Sequence, residues 1–286
     1  KKIKLIGIMG LAHINLNPNA ERLHLHHVPM NGVVNLSAIN NLYLSDIDLS
    51  NVSEFKLNPN AQSITLDYIK GLKLKKIDAS NVQRLEILNS DLSGIDEYSF
   101  NPTAEKIVFK RVSGLKENLD LSNLNNLEIS EMSLDNVNSI KFNNTKKVTL
   151  FKVGLPKILD LSSVDYVSIV PESGNDVSDI KFNKNAKNIT ISGSTTMHGN
   201  HDFSGVKTLE LNNITLADDA NIKFNKNATK ISLYYVEGLK GYLDFSNVKK
   251  FSSTNVDWSK VSGIKCRDWF KRYLPTRSNA IALRWN

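Results

Sequence analysis

The chain writes one phrase repeatedly: LDFSNVKKF from Leu243, LDLSNLNNL from Leu119 and IDASNVQRL from Ile77. Tetrads of this type begin at Val34, Ile77, Leu119, Leu159, His201 and Leu243, in steps of 43, 42, 40, 42 and 42 residues. About halfway along each unit sits a second phrase marked by NPNA or KFN, as in FKLNPNAQSITL and IKFNKNATKISL. Superimposed, the two half-units share one pattern: apolar-x-apolar, a polar turn, then Val/Ala/Leu-x-x-Leu/Ile-x-Leu/Ile. Its second apolar pair begins at Ile3, Leu23, Leu42, Ile64, Leu85, Ile107, Leu127, Val148, Val167, Ile189, Leu209, Ile231 and Phe251, thirteen copies with a mean step of about 21. A period this short signals a solenoid, because one coil buries its apolar side only by stacking on the next.

Each copy alternates apolar and polar residues, as in LHL, LYL, ITL, LEI and ISL, which is the period of half-buried strands. Equivalent strands every 21 residues or so must run parallel. The expected fold is therefore a solenoid with a parallel sheet of about 13 coils. The first phrase also alternates and is expected to form extended segments on an opposite wall. No amphipathic helix fits between the phrases, so helix content is low. No run of about 18 apolar residues occurs, which argues against a membrane-spanning helix. The single cysteine, Cys266, excludes an intrachain disulfide framework and reads as a buried small hydrophobe. The pattern is already running at Lys1, so an upstream segment is expected to have been removed.

LSNLNNLEI, LSAINNLYL and FSGVKTLEL resemble the LxxLxL core of a leucine-rich repeat, over roughly residues 1–260, and the short period resembles the bacterial class of that family. The resemblance implies a secreted or cell-surface protein with a role in adhesion or host contact. One position departs from the family pattern. The Asn expected five residues after the first strand leucine is instead apolar, at Val28, Ile47, Ile69, Val112, Met132, Val153 and Ile214. Those residues are expected to extend the core. Asn collects instead in the NPNA and SNV turns, where its side chain can bond local backbone.

Composition changes from Lys249 onward. The segment 249–286 holds nine Lys/Arg against Asp257 and Asp268, which equals the whole chain's net charge of +7. It also holds Trp258, Trp269 and Trp285. RDWFKRYL sets Trp269, Phe270, Tyr273 and Leu274 on one helical face, Pro275 stops that helix, and Ile281, Leu283 and Trp285 alternate as a closing strand would. A solenoid must cover its last open coil. The expected organisation is a solenoid over 1–264 and a C-terminal capping segment over 265–286; contact with phosphate or acidic glycan is the lesser reading of the basic end.

No phosphate-cradling loop, GxSxG or HExxH motif occurs, so no catalytic residue and no cofactor are predicted. His24 and His26 share a strand face, but without a third ligand they make a poor metal site, and His27 points elsewhere. His198 lies near His201, and His201 stands where the other tetrads have a buried leucine. Glu86, Glu128 and Glu210 recur at the repeat period and read as surface residues. Glu86 and Glu128 would lie roughly 10 Å apart, at the limit for an acid–base pair.

The framework stays constant while the outward columns vary. The middle column runs from His24 and Tyr43 through Glu86, Val108 and Glu128 to Ser232 and Ser252; the next includes Leu88, Phe151, Val170 and Tyr234. Tyr43, Tyr68, Leu88, Phe151, Val170, Tyr234 and Tyr235 are the expected ligand-face residues, because aromatics bring large contact area at low entropy cost. The expected function is a non-enzymatic scaffold that binds a protein or glycan on this face. Nucleic acid and membrane insertion are not expected. The alternatives are a stalk without a specific ligand and, less favoured, a glycan-active β-helix enzyme.

Overall fold

The computed structural model describes residues 2–7, 21–72, 76–156, 158–174, 176–178 and 180–268. They divide into two compact units, Lys1–Met132 and Ser133–Asn286. Each is a parallel β-solenoid; together they make about 12 turns spaced about 21 residues apart, with no helix among the described residues. The predicted capping helix and closing strand, from Trp269 onward, lie outside the described residues.

The first unit holds β1 (Lys2–Ile6), β2 (Arg22–His26), β3 (Gly32–Asn35), β4 (Asn41–Asp48), β5 (Val52–Lys56), β6 (Ser63–Lys70), β7 (Lys76–Ala79), β8 (Arg84–Leu88), β9 (Glu97–Phe100), β10 (Lys106–Lys110), β11 (Asn118–Asp120) and most of β12 (Asn126–Ser133). Its main sheet runs β1-β2-β4-β6-β8-β10-β12. On the second wall, β3 pairs with β5 and β7 with β9, all parallel. The main-sheet register sets Ile3, Leu23, Leu42, Ile64, Leu85, Ile107 and Leu127 side by side, as the repeat alignment requires.

The second unit holds β13 (Ser139–Lys141), β14 (Lys147–Gly154), β15 (Leu159–Leu161), β16 (Tyr166–Pro171), β17 (Ile180–Phe182), β18 (Asn188–Met197), β19 (Asn200–Asp202), β20 (Thr208–Leu216), β21 (Asn221–Lys223), β22 (Lys230–Glu237), β23 (Lys240–Asp244), β24 (Lys250–Val256) and β25 (Lys260–Lys265). Its main sheet runs β14-β16-β18-β20-β22-β24, with Val148, Val167, Ile189, Leu209, Ile231 and Phe251 in register. The second wall is built of two-stranded ladders, β15–β17, β19–β21 and β23–β25.

In every main strand from β2 to β22 both apolar residues point inward. Leu25, Leu44, Leu66 and Ile87 are fully buried in the first unit, as are Leu150, Ile169, Ile191 and Leu211 in the second. Each such side chain contributes about 1.5–3 kcal/mol by leaving water. The apolar residues five places after each first strand leucine also join the core: Val28, Ile47, Ile69 and Ile214 are each 1% exposed and Val153 is 0%. The corners are closed by Asx turns. The side-chain oxygens of Asp48, Asn58, Asp78 and Asn101, and of Asp160, Asn183, Asp202 and Asn225, each accept the backbone N–H two residues on. Asn58 and Asn225 also donate to the Ile39 and Val206 carbonyls of the preceding coil, at 3.2 and 2.9 Å. Asn thus bonds coil to coil in these turns.

Candidate functional site

Strand alternation alone would turn the residue four places after each first strand leucine inward. The backbone prevents this. His27, Asp46, Tyr68, Asn89, Arg111 and Glu131 in the first unit, and Lys152, Asn213, Tyr235 and Asn255 in the second, all have φ between 47° and 58°. A left-handed residue inserted here acts as a bulge and reverses the pleat parity. Leu25 therefore points in, His26 and His27 out, and Val28 in again. Left-handed backbone costs a side chain with a Cβ roughly 1–2 kcal/mol, which is why Gly and Asn usually fill it. In these units His, Asp, Tyr, Arg, Glu and Lys occupy seven of the ten positions and Asn three, while Gly7 and Gly193 take the same place after Ile3 and Ile189. The surroundings hold them there: the His27, Asn89 and Arg111 N–H groups donate to the Ser45, Lys110 and Ser130 carbonyls of the next coil, at 3.1, 2.8 and 3.0 Å.

The result in each unit is an outward column of side chains on a fixed backbone. In the first unit its members interact across coils. His27 Nδ1 lies 2.8 Å from Asp46 Oδ2, and Arg111 pairs with Glu131, which Lys110 also reaches at 2.8 Å. The hydrogen bond from His27 holds the Asp46 carboxyl below its ordinary range. Hydrogen bonds from Lys110 and then Arg111 do the same for Glu131.

The seven expected ligand-face residues fall into two groups. Tyr68, Phe151 and Tyr235 are 52%, 40% and 54% exposed, and Lys152 lies 5.6 Å from the Phe151 ring centre. Tyr43, Leu88, Val170 and Tyr234 are half-buried, not freely exposed as expected. Neighbouring coils shield them. Tyr43 meets the edge of His24 with ring centres 4.4 Å apart, and the Tyr234 hydroxyl lies 2.9 Å from Ser252 Oγ. Val170 lies beside Phe151 in the strand register. Tyr43, Tyr68 and Leu88 belong to the first unit and the other four to the second. Four outward positions are in fact buried: Ser45, Val108, Ser130 and Ser232, at 7%, 5%, 2% and 0% exposure.

Glu86 and Glu128 flank Val108 on adjacent strands, and Glu128 is paired with Lys106 at 2.8 Å, so they do not converge on a common substrate position. His24 has its pKa lowered by burial first, then by Lys4, His26 and Lys2, an environment unfavourable to a further cation. No group of three or more His, Cys, Asp or Glu able to hold a metal occurs among the described residues. His201 is buried at 2% exposure against Phe203 and Phe182, in the leucine position. His198 sits between Asp219, at 3.0 Å, and Asp176, at 3.6 Å. Cys266 is half-buried, not the buried hydrophobe expected from its place in the repeat.

The second wall carries a pattern that the sequence reading missed. In the second unit the outward residue of successive strands β13 to β25 alternates: Lys141, Asp160, Lys181, Asp202, Lys223, Asp244, Lys265. Asp160 faces Lys181, Asp202 faces Lys223 and Asp244 faces Lys265 in register. Opposite charges at facing positions stabilise a ladder and like charges destabilise it. The signal was present in the alternation of LDLS with IKF, and superimposing the half-units erased it. In the first unit the column reads Asn35, Lys56, Asp78, Ser99, Asp120 and the alternation is not kept. Comparison with known protein families, characterised proteins and solved structures finds no match for this chain.

Proposed function

We propose that the protein is a non-enzymatic recognition scaffold of leucine-rich-repeat type, acting at a bacterial surface or after secretion, and binding a protein or glycan through its outward side-chain columns. The location rests on the family resemblance alone. The observation that supports binding is the left-handed column. Strained backbone persists where the side chain it presents has a use, and glycine would relieve the strain at every coil. Glycine stands there at Gly7 and Gly193, but seven other coils carry His, Asp, Tyr, Arg, Glu or Lys, with Tyr68 and Tyr235 more than half exposed. Phe151, one residue before Lys152 of the same column, adds a third aromatic anchor.

The test uses the intact chain and a variant carrying Tyr68→Ser, Phe151→Ser, Tyr234→Ser and Tyr235→Ser, matched for folding by circular dichroism. Both are applied to a glycan panel and to a crosslinking pull-down with purification of each captured partner. Direct binding to a purified partner should weaken at least about a hundredfold in the variant, as expected from losing two or more anchors. Equal capture by both proteins, or capture by neither, removes the recognition reading and leaves a spacer.

A further inference from the structure

The second wall of the second unit contains a pocket of about 450 Å³ between β21 and β23. It arises because β23 departs from regular pleating. Gly241 has φ +77°, and the β23–β25 register slips between Gly241 and Tyr242. Tyr242 is left 56% exposed on the pocket wall. The displacement also uncovers the neighbouring coil. Its apolar pair, Ile222 and Phe224, is half-buried and lines the pocket. The equivalent pairs Ile140/Phe142 and Ile180/Phe182 are buried, at 8%/2% and 5%/8% exposure.

Two ammonium groups complete the site. Lys223 and Lys226 line it, and neither comes within salt-bridge distance of a carboxylate among the described residues. Other lysines of the same turns do: Lys181 reaches Asp160 and Lys184 reaches Asp202, both at 3.9 Å. Asp244 also lines the pocket as a carboxylate whose Oδ1 accepts the Ser246 N–H at 2.9 Å, and Asp202 faces Lys223 from outside the lining, so the lining itself carries one positive charge in excess. The pocket is therefore net cationic, with a flat aromatic wall and an apolar floor.

We infer that this pocket binds a carboxylated sugar residue, separately from the proposed recognition face on the opposite wall. The volume falls in the range of small-ligand sites. A pyranose ring lays its C–H face on Tyr242 and Phe224, and its carboxylate takes charge-assisted hydrogen bonds from Lys223 and Lys226.

The test titrates the whole chain, by calorimetry and by nuclear magnetic resonance, with disaccharides ending in glucuronate, galacturonate or N-acetylneuraminate. Each is run beside its neutral counterpart, inorganic phosphate and a tetraglutamate peptide. At least one acidic disaccharide should bind one-to-one with Kd below about 1 mM and about tenfold or more tighter than its neutral counterpart. The double variant Lys223→Gln/Lys226→Gln, and separately Tyr242→Ser, should each weaken it about tenfold. All three positions are on the surface, so folding is preserved, as thermal melting checks. Saturable binding by none of the disaccharides overturns the inference, as does equal binding of the neutral sugar or indifference to the variants. Tighter binding of phosphate assigns a bare anion site instead, and tighter binding of tetraglutamate an acidic-peptide site. Tyr68→Ser and Tyr235→Ser leave this binding unchanged, so its failure and that of the recognition face are read apart.

Discussion

Glycine is ordinarily a poor strand residue, about 0.5–1 kcal/mol worse than alanine. At Tyr235 the order should invert. With φ at 51°, any residue bearing a Cβ is held in left-handed backbone at a cost of roughly 1–2 kcal/mol. Glycine escapes that cost while retaining its entropic penalty, so Tyr235→Gly should be more stable than Tyr235→Ala by up to about 1 kcal/mol. Both variants delete the half-exposed ring, and their difference isolates the backbone. Thr254 supplies the control. It is exposed on the neighbouring strand β24, faces Tyr234, and is absent from the left-handed positions. There alanine should win by about 0.5–1 kcal/mol. The assay is urea unfolding of the four variants, with amide hydrogen exchange read on β22 and β24 because repeat arrays need not unfold in one step. In a unit of this size, 1 kcal/mol corresponds to about 2–4 °C in Tm. If Ala is at least as stable as Gly at 235, the strained-column argument is wrong, and with it the main support for a recognition face.

Two further predictions concern buried and charged groups. The Tyr98 hydroxyl is buried with no hydrogen-bond partner among the described residues, and burial pushes its pKa up to about 12. Tyr98→Phe should therefore stabilise the first unit by about 1 kcal/mol, and ultraviolet titration should show one phenol ionising late; a loss of stability would mean the hydroxyl has a partner. The hydrogen bonds from Ser204's hydroxyl and then its backbone N–H hold the Asp202 carboxyl below its ordinary range. A depressed folded pKa contributes stability that is full above the ordinary carboxylate pKa near 4 and is lost as pH falls through the lower folded value. Asp202→Asn keeps the turn acceptor, so its urea midpoint should fall less than wild type between pH 5 and pH 2; parallel curves would refute the linkage.

The coil period, the strand starts and the shared register of Ile3 to Leu127 and of Val148 to Phe251 could be read from spacing alone. Apolar spacing is a property of the chain, and stacking is the one way to bury it. The apolar core at Val28 or Val153 was equally readable. The left-handed column was not, because parity is set by a dihedral angle. Its trace was the pair of polar residues before each such apolar one, His26–His27 before Val28 or Ser45–Asp46 before Ile47, which breaks strict alternation. Exposure of single columns was least legible. Val108 disappears between Glu86 and Glu128 because long neighbours one strand away cover it, and Tyr234 leans on Ser252 for a similar reason. The pocket at Tyr242 depends on a register slip that no repeat count reveals.

The Asp/Lys ladder of the second unit also bears on how such a wall can change length. Removing one coil of about 21 residues from it would set Asp beside Asp or Lys beside Lys at the junction. Removing two, the 42 residues separating His201 from Leu243, restores the alternation. The smallest insertion or deletion that keeps every facing pair of this wall opposite in charge is therefore a pair of coils. The long phrase repeated in the sequence is thus the charge period of the second wall, although the core is built one coil at a time.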